Sequence, residues 1–122
     1  MTFEETLVAN VRAALDGAGT IGEIKMFGGT GFMLNGNLVV AASRRGLLVR
    51  AGKDRQRDAL ALPGARPMVM RSRVMEGYVY IDPPAISAAS LRTAVRLALA
   101  FVRTLPAKKS GKKSVRAKAR SK

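Results

Sequence analysis

Cysteine and histidine are both absent from this chain of 122 residues. Without cysteine there is no disulfide framework, no thiolate nucleophile and no thiolate-held metal. Without histidine, a Ser-His-Asp triad and an imidazole-ligated metal are excluded as well. Chemistry is left to Asp, Glu, Lys, Tyr, Ser and Thr, a thin set for catalysis, so the chain reads as non-enzymatic and without a cofactor. Long apolar runs are missing too: none approaches the ~20 residues of a membrane span, and no membrane partner is expected. The opening "MTFEETLVAN" puts two glutamates where a secretory signal needs cations followed by an apolar stretch. The expected setting is the cytoplasm of a bacterium.

Acidic residues are the other scarcity. Lys and Arg number 22 against 8 Asp and Glu, a formal charge of +14. All eight acidic residues lie in 1–105 with fourteen basic ones, whereas 106–122 carries eight basic residues and no acidic one. The chain therefore divides into a mildly basic body, 1–105, and a strongly basic tail, 106–122. The tail, "PAKKSGKKSVRAKARSK", has Val115 as its only large apolar residue. It cannot offset its own ordering entropy and is expected to be disordered alone.

The body has 48% hydrophobic residues chain-wide to draw on, enough for one domain's core. Thr2 and Glu5 fit a capping box, followed by Phe3, Leu7, Val11, Ala14 and Leu15 at helical spacing, which predicts a helix over 3–16. From Glu23 the period changes to two. Strands are expected near 22–27, 31–35, 37–43 and 47–51, with Asn35-Gly36 as a type I′ hairpin turn and "SRRG" as the next reversal. A short helix over 53–62 ends at Pro63-Gly64. "PMVMR" and "VMEGYVYID" read as two more strands, with Gly77, Val79 and Ile81 on one face and Glu76, Tyr78 and Tyr80 on the other. Ser87 is the expected N-cap of a last helix over 88–105. Its stripe of Leu91, Val95, Ala98, Val102 and Leu105 is widened by Leu97 and Phe101, an arc broad enough to suggest packing against a second subunit. Arg92, Arg96 and Arg103 fall within about 40° of one another on the same helix. The fold class is thus α+β, two-layer, an antiparallel sheet of about five to six strands with helices packed on it.

"KMFGGTGFMLNGNLVV" tests for a phosphate cradle and fails. A dinucleotide fingerprint needs glycine or alanine where Leu34 stands, and a helix where a hairpin follows. The spacing of a P-loop is absent. Gly28, Gly29 and Gly31 then either permit a sharp bend or bulge between strands, or form a nest of N–H groups for an anion.

The run Lys25-Met26-Phe27-Gly28-Gly29-Thr30-Gly31, then Asn35-Gly36, then Ala65-Arg66-Pro67-Met68, in that order, with "RVMEGYVYID" and a closing helix ending "LAFVRTLP", resembles the TfoX/Sxy N-terminal domain family of bacterial proteins. The resemblance covers roughly residues 7–106. It implies a two-layer α+β domain similar to secretion-chaperone-like folds, with no established catalytic residues. It also implies a link to regulators of natural competence that act with a cyclic-AMP-responsive activator at promoters. Those regulators carry a second, helical C-terminal domain, and the chain reads as a stand-alone member with a basic tail in its place.

Candidate contacts to nucleic acid are Lys108, Lys109, Lys112, Lys113, Arg116, Lys118, Arg120 and Lys122 in the tail, with Arg44 and Arg45 on the body. Lys and Arg neutralise phosphates and release counterions; all eight tail cations on duplex DNA give a slope of log K against log salt of roughly −7. Such contacts position a protein without reading sequence. A solubilising tail and an acidic protein partner are the other readings. Arg44, Arg45, Arg50, Arg71 and Arg73 form either one basic face or scattered solvated positions. Tyr78 and Tyr80 either stack on bases or pack. The reading of function is an accessory protein of transcription associating with DNA or RNA, with a transcription factor or RNA polymerase as possible protein partner. The alternative is a homodimeric interaction module whose tail is incidental.

Overall fold

The computed structural model describes residues 2–26 and 28–107. The tail from residue 108 onward, with all eight of its proposed cations, and Phe27 of the glycine-rich run lie outside the described residues.

The chain opens with α1, Phe3–Ala14. Thr2 Oγ1 accepts from the Glu5 N–H, and the Glu5 carboxylate accepts from the Thr2 N–H, so the predicted capping box is complete. Leu7, Val11 and Leu15 are buried one turn apart along its inner face. Four strands follow: β1, Ile21–Met26; β2, Gly29–Leu34; β3, Asn37–Ser43; and β4, Gly46–Arg50. A turn of 3-10 helix and the short α2, Gln56–Leu60, lead to β5, Ala65–Met70, and β6, Arg73–Ile81, and α3 spans Ala88–Val102. Ser87 caps α3, and Ser90 completes the box.

All six strands form one antiparallel sheet in the order β1-β2-β3-β4-β6-β5. The Asn-Gly turn has the positive φ of 54° and 80° at both central residues that type I′ requires. Helices α1 and α3 lie together on one face, over β3 and β4. Between them sit Phe32, Val39, Val40, Leu47, Val49, Val79 and Ile81 from the sheet, all essentially inaccessible. Each such side chain contributes about 1.5–3 kcal/mol by leaving water. Adjacent Val39 and Val40 both enter this core because the β2–β3 register slips between Phe32 and Met33, leaving Val39 as the extra residue of a bulge.

The broad arc of α3 is occupied within the chain. Leu91, Ala94, Val95, Ala98, Leu99 and Val102 are buried, and Leu97 and Phe101 pack half-buried against the same core. The helix needs that width because it faces the sheet and α1 at once. It also stops at Val102, three residues earlier than its sequence period suggested, with Thr104 and Leu105 closing tighter turns onto Phe101 and Val102.

The glycine-rich run is a tight reversal. Met26 pairs with Gly29, so β2 begins two residues earlier than expected. A Cβ on Gly29 would sit on the carbonyl oxygen of Ala42, and one on Gly31 would displace the Met26 thioether that lies over it. These glycines let a neighbouring strand and a methionine approach the backbone at the bend.

One face assignment changes. Between the pairs Pro67–Val79 and Val69–Val74, β6 runs from 74 to 79 while β5 runs only from 67 to 69. The surplus is accommodated at Gly77, φ 87°, whose carbonyl accepts from both Ala51 N–H and Gly52 N–H at 2.8 and 3.0 Å. The irregularity breaks alternation, so Met75, and not Glu76, joins Tyr78 and Tyr80 in their cluster.

Candidate functional site

The register assigns every turn to one of two ends of the sheet. At one end lie the β1–β2 reversal, the β3–β4 turn with Arg44 and Arg45, and the start of β5. At the other lie the Asn35-Gly36 turn, the end of β4 at Arg50, and the β5–β6 tip with Arg71 and Arg73. Arg71 and Ser72 adopt φ of 53° and 66°, closing that tip as a second tight hairpin turn. The two groups of arginines therefore stand at opposite ends and do not make one basic face.

The last described residues belong to the second end. Asn37 is buried, with 1% of its surface exposed. Its Nδ2 donates to the carbonyl oxygen of Pro106 at 3.0 Å and, more weakly, to that of Asn35 at 3.5 Å. A buried amide needs such partners, and here the partner lies 69 residues away in sequence. The clamp fixes where the chain departs from α3: beside the Asn-Gly turn, at the end that carries Arg50, Arg71 and Arg73. Arg44 and Arg45 are exposed and remote from it. The Arg45 N–H donates to Ser43 Oγ at 3.2 Å, and neither arginine is ion-paired among the described residues.

Arg50 closes β4 and lies between two rings, its guanidinium carbon 5.8 Å from the Tyr78 centroid and 5.5 Å from that of Phe101. Such contacts orient a cation without neutralising it. Sequence reading missed this cluster because Arg50, Tyr78 and Phe101 come from β4, β6 and α3. Three other cations are ion-paired. Arg66 pairs with Asp82 at 2.9 Å and stacks over Tyr80 at 5.3 Å. Arg12 grips Glu23 through two bonds of 2.7 and 2.8 Å, which lowers the Glu23 carboxyl below its ordinary value and raises the Arg12 guanidinium. Lys53 meets Glu76 at 3.5 Å on the open surface, where such a pair contributes little. Lys25 is exposed on the edge strand β1. On α3, Arg92, Arg96 and Arg103 do share one flank and line a cavity of about 300 Å³ against α1 at Ala14, with Arg103 donating to the Ala18 carbonyl oxygen at 3.3 Å.

The sheet face away from α1 and α3 carries Leu38, Ala41, Leu48 and Met68, buried beneath Met26, Met33, Met75, Tyr78 and Tyr80. The two tyrosines share this face and are packed in its apolar cluster. Leu38 and Leu48, with Arg50, line a cavity of about 330 Å³ there. Among the described residues no cluster of Asp and Glu is placed to hold a metal ion, and no helix is long and apolar enough to cross a membrane. What the site offers is positive charge beside aromatic rings and apolar surface.

A family model described as the TfoX N-terminal domain matches residues 13–102, which include all six strands, α2, α3 and the last two residues of α1. No curated protein and no solved structure matches the chain.

Proposed function

The chain belongs to the TfoX N-terminal domain family, and from that premise we propose that it is a non-enzymatic accessory protein that associates with nucleic acid without reading sequence and thereby modulates transcription in the cytoplasm. The observation that carries this is charge segregation: eight cations and no acidic residue in 106–122, against fourteen basic and eight acidic residues in the body. Phosphate neutralisation rewards that composition, and it rewards clustering in one segment. The placement of residue 106 adds to it. Arg71 and Arg73, exposed at the same end, extend the cationic zone, and Arg50 stands among rings there. Arg44 and Arg45, at the far end, make a separate and weaker contact zone in this reading. The protein partner it would act with is a transcription factor or RNA polymerase.

Fluorescence anisotropy on labelled duplex DNA tests it. The full chain is compared with a chain in which the eight tail cations are glutamine and with one ending at Ala107, which keeps the Pro106 carbonyl for Asn37. Binding by the full chain and its loss in both variants is expected. Equal binding in all three sinks the proposal.

A further inference from the structure

An antiparallel sheet with helices on one face ordinarily turns polar side chains to water on the other. This sheet does not. Its open face is largely apolar, and every methionine after Met1 lines a cavity there: Met26 from β1, Met33 from β2, Met68 and Met70 from β5, and Met75 from β6. Sequence spacing cannot show this, because the five come from four strands and meet only through the strand order. The cavity, about 330 Å³, falls in the range of small-molecule sites, which are apolar pockets with a few placed polar groups. Methionine suits such a wall, being unbranched, polarizable and able to repack around differing shapes.

Arg50 is the one ionisable cation lining the cavity, and no Asp or Glu lines it. Tyr78 and Phe101 orient its guanidinium. Among the described residues, which include all eight Asp and Glu, Arg50 has no carboxylate within ion-pairing distance. Asp54 and Glu76 border an adjoining cavity that Arg50 also lines, yet neither pairs with it directly, and a ligand carboxylate would supply a direct partner through charge-assisted hydrogen bonds.

We propose that the open face binds a small apolar monocarboxylate, such as a medium-chain or aryl-substituted acid, with its apolar body among Met26, Met33, Leu38, Met68 and Met75 and its carboxylate on Arg50. Arg50 borders the cationic end as well, but this site needs no contact between the tail and nucleic acid. The test uses the full chain labelled with carbon-13 at the methionine methyls, titrated with octanoate and 4-phenylbutyrate and, as controls, octanamide, octylamine and acetate at matched ionic strength. Octanoate or phenylbutyrate shifts the five cavity methyls and leaves Met1 in place. Octanamide binds about tenfold or more weaker, octylamine and acetate leave the methyls unmoved, and Arg50→Gln reduces octanoate to the amide's affinity. Gly31→Ala, which pushes the Met26 thioether aside while leaving Arg50 intact, weakens acid and amide together. No methyl shift with either acid overturns the proposal, as does equal affinity for acid and amide, or an acid response that survives Arg50→Gln. Replacing the tail cations by glutamine leaves octanoate binding unchanged. Its loss in that variant places the carboxylate on the tail and overturns the assignment to Arg50.

Discussion

Replacing Asn37 by alanine removes the clamp between the Asn-Gly turn and the end of α3. The amide is buried and makes one well-formed bond to Pro106 at 3.0 Å and a marginal one to Asn35 at 3.5 Å. Alanine brings no polar atom of its own, and Pro106 is exposed, so its carbonyl turns to water. The loss is then one net hydrogen bond plus the missing side-chain atoms, about 1–2 kcal/mol. For a domain of this size that lowers Tm by roughly 5–15 °C. Asn37→Asp is the sharper variant, because it turns a donor into a carboxylate facing two carbonyl oxygens at a buried position. It costs more than alanine, about 3 kcal/mol or above at neutral pH. The folded-state pKa of that introduced carboxyl is raised, so the penalty is absent below the ordinary aspartate value and grows as pH rises from about 4. Urea denaturation followed by circular dichroism between about pH 3.5 and 7.5 reads the alanine cost, the aspartate cost and its pH dependence, and a thermal scan reads Tm. Aspartate no worse than alanine at neutral pH, or an Asn37→Asp penalty that does not change with pH, would refute the clamp.

Gly29→Ala forces its Cβ onto the Ala42 carbonyl and costs about 3 kcal/mol or more, whereas Gly28→Ala meets open space and costs only the left-handed backbone penalty of about 1–2 kcal/mol; chemical denaturation of the two separates them. Glu23, held below its ordinary value of 4.5 chiefly by the hydrogen bond from Arg12, contributes stability above that value that is lost as pH falls through the lower folded one. Arg12→Gln flattens this acid limb only slightly, because the pair is exposed, and a pH series of urea midpoints measures it. Phe32→Ala, at a fully inaccessible position beneath α1 and α3, costs about 3–5 kcal/mol in the same assay.

Local chemistry was legible in the sequence where a short stretch contains its own reason. The Thr2–Glu5 box, the Ser87 cap and the Asn35-Gly36 turn each depend on residues no more than three apart, and each stands where it was expected. Alternation located the strands but misassigned Glu76, since nothing in "VMEGYVYID" marks Gly77 as an irregularity until Ala51 and Gly52 bond to its carbonyl. The width of the α3 arc was read correctly, and within the chain the sheet and α1 occupy most of it: a helix facing both looks, in sequence, like one with a partner outside. The methionine cavity and the Arg50 cluster were invisible for a different reason. Their members are dispersed along the chain, and only a sheet in which β6 sits between β4 and β5 gathers them. The same holds for Asn37 and Pro106, whose contact decides at which end of the domain the cationic segment begins.

The central claim, that the cationic C-terminal segment confers association with nucleic acid, is tested most directly by the salt dependence of DNA binding. Affinity of the full chain for a random duplex is measured across about 50–200 mM salt, beside the chain ending at Ala107. The account predicts a log-log slope approaching roughly −7 for the full chain, nearly independent of DNA sequence, and a slope shallower by several units with much weaker binding for the shortened one. Matching slopes and affinities for the two chains would contradict it.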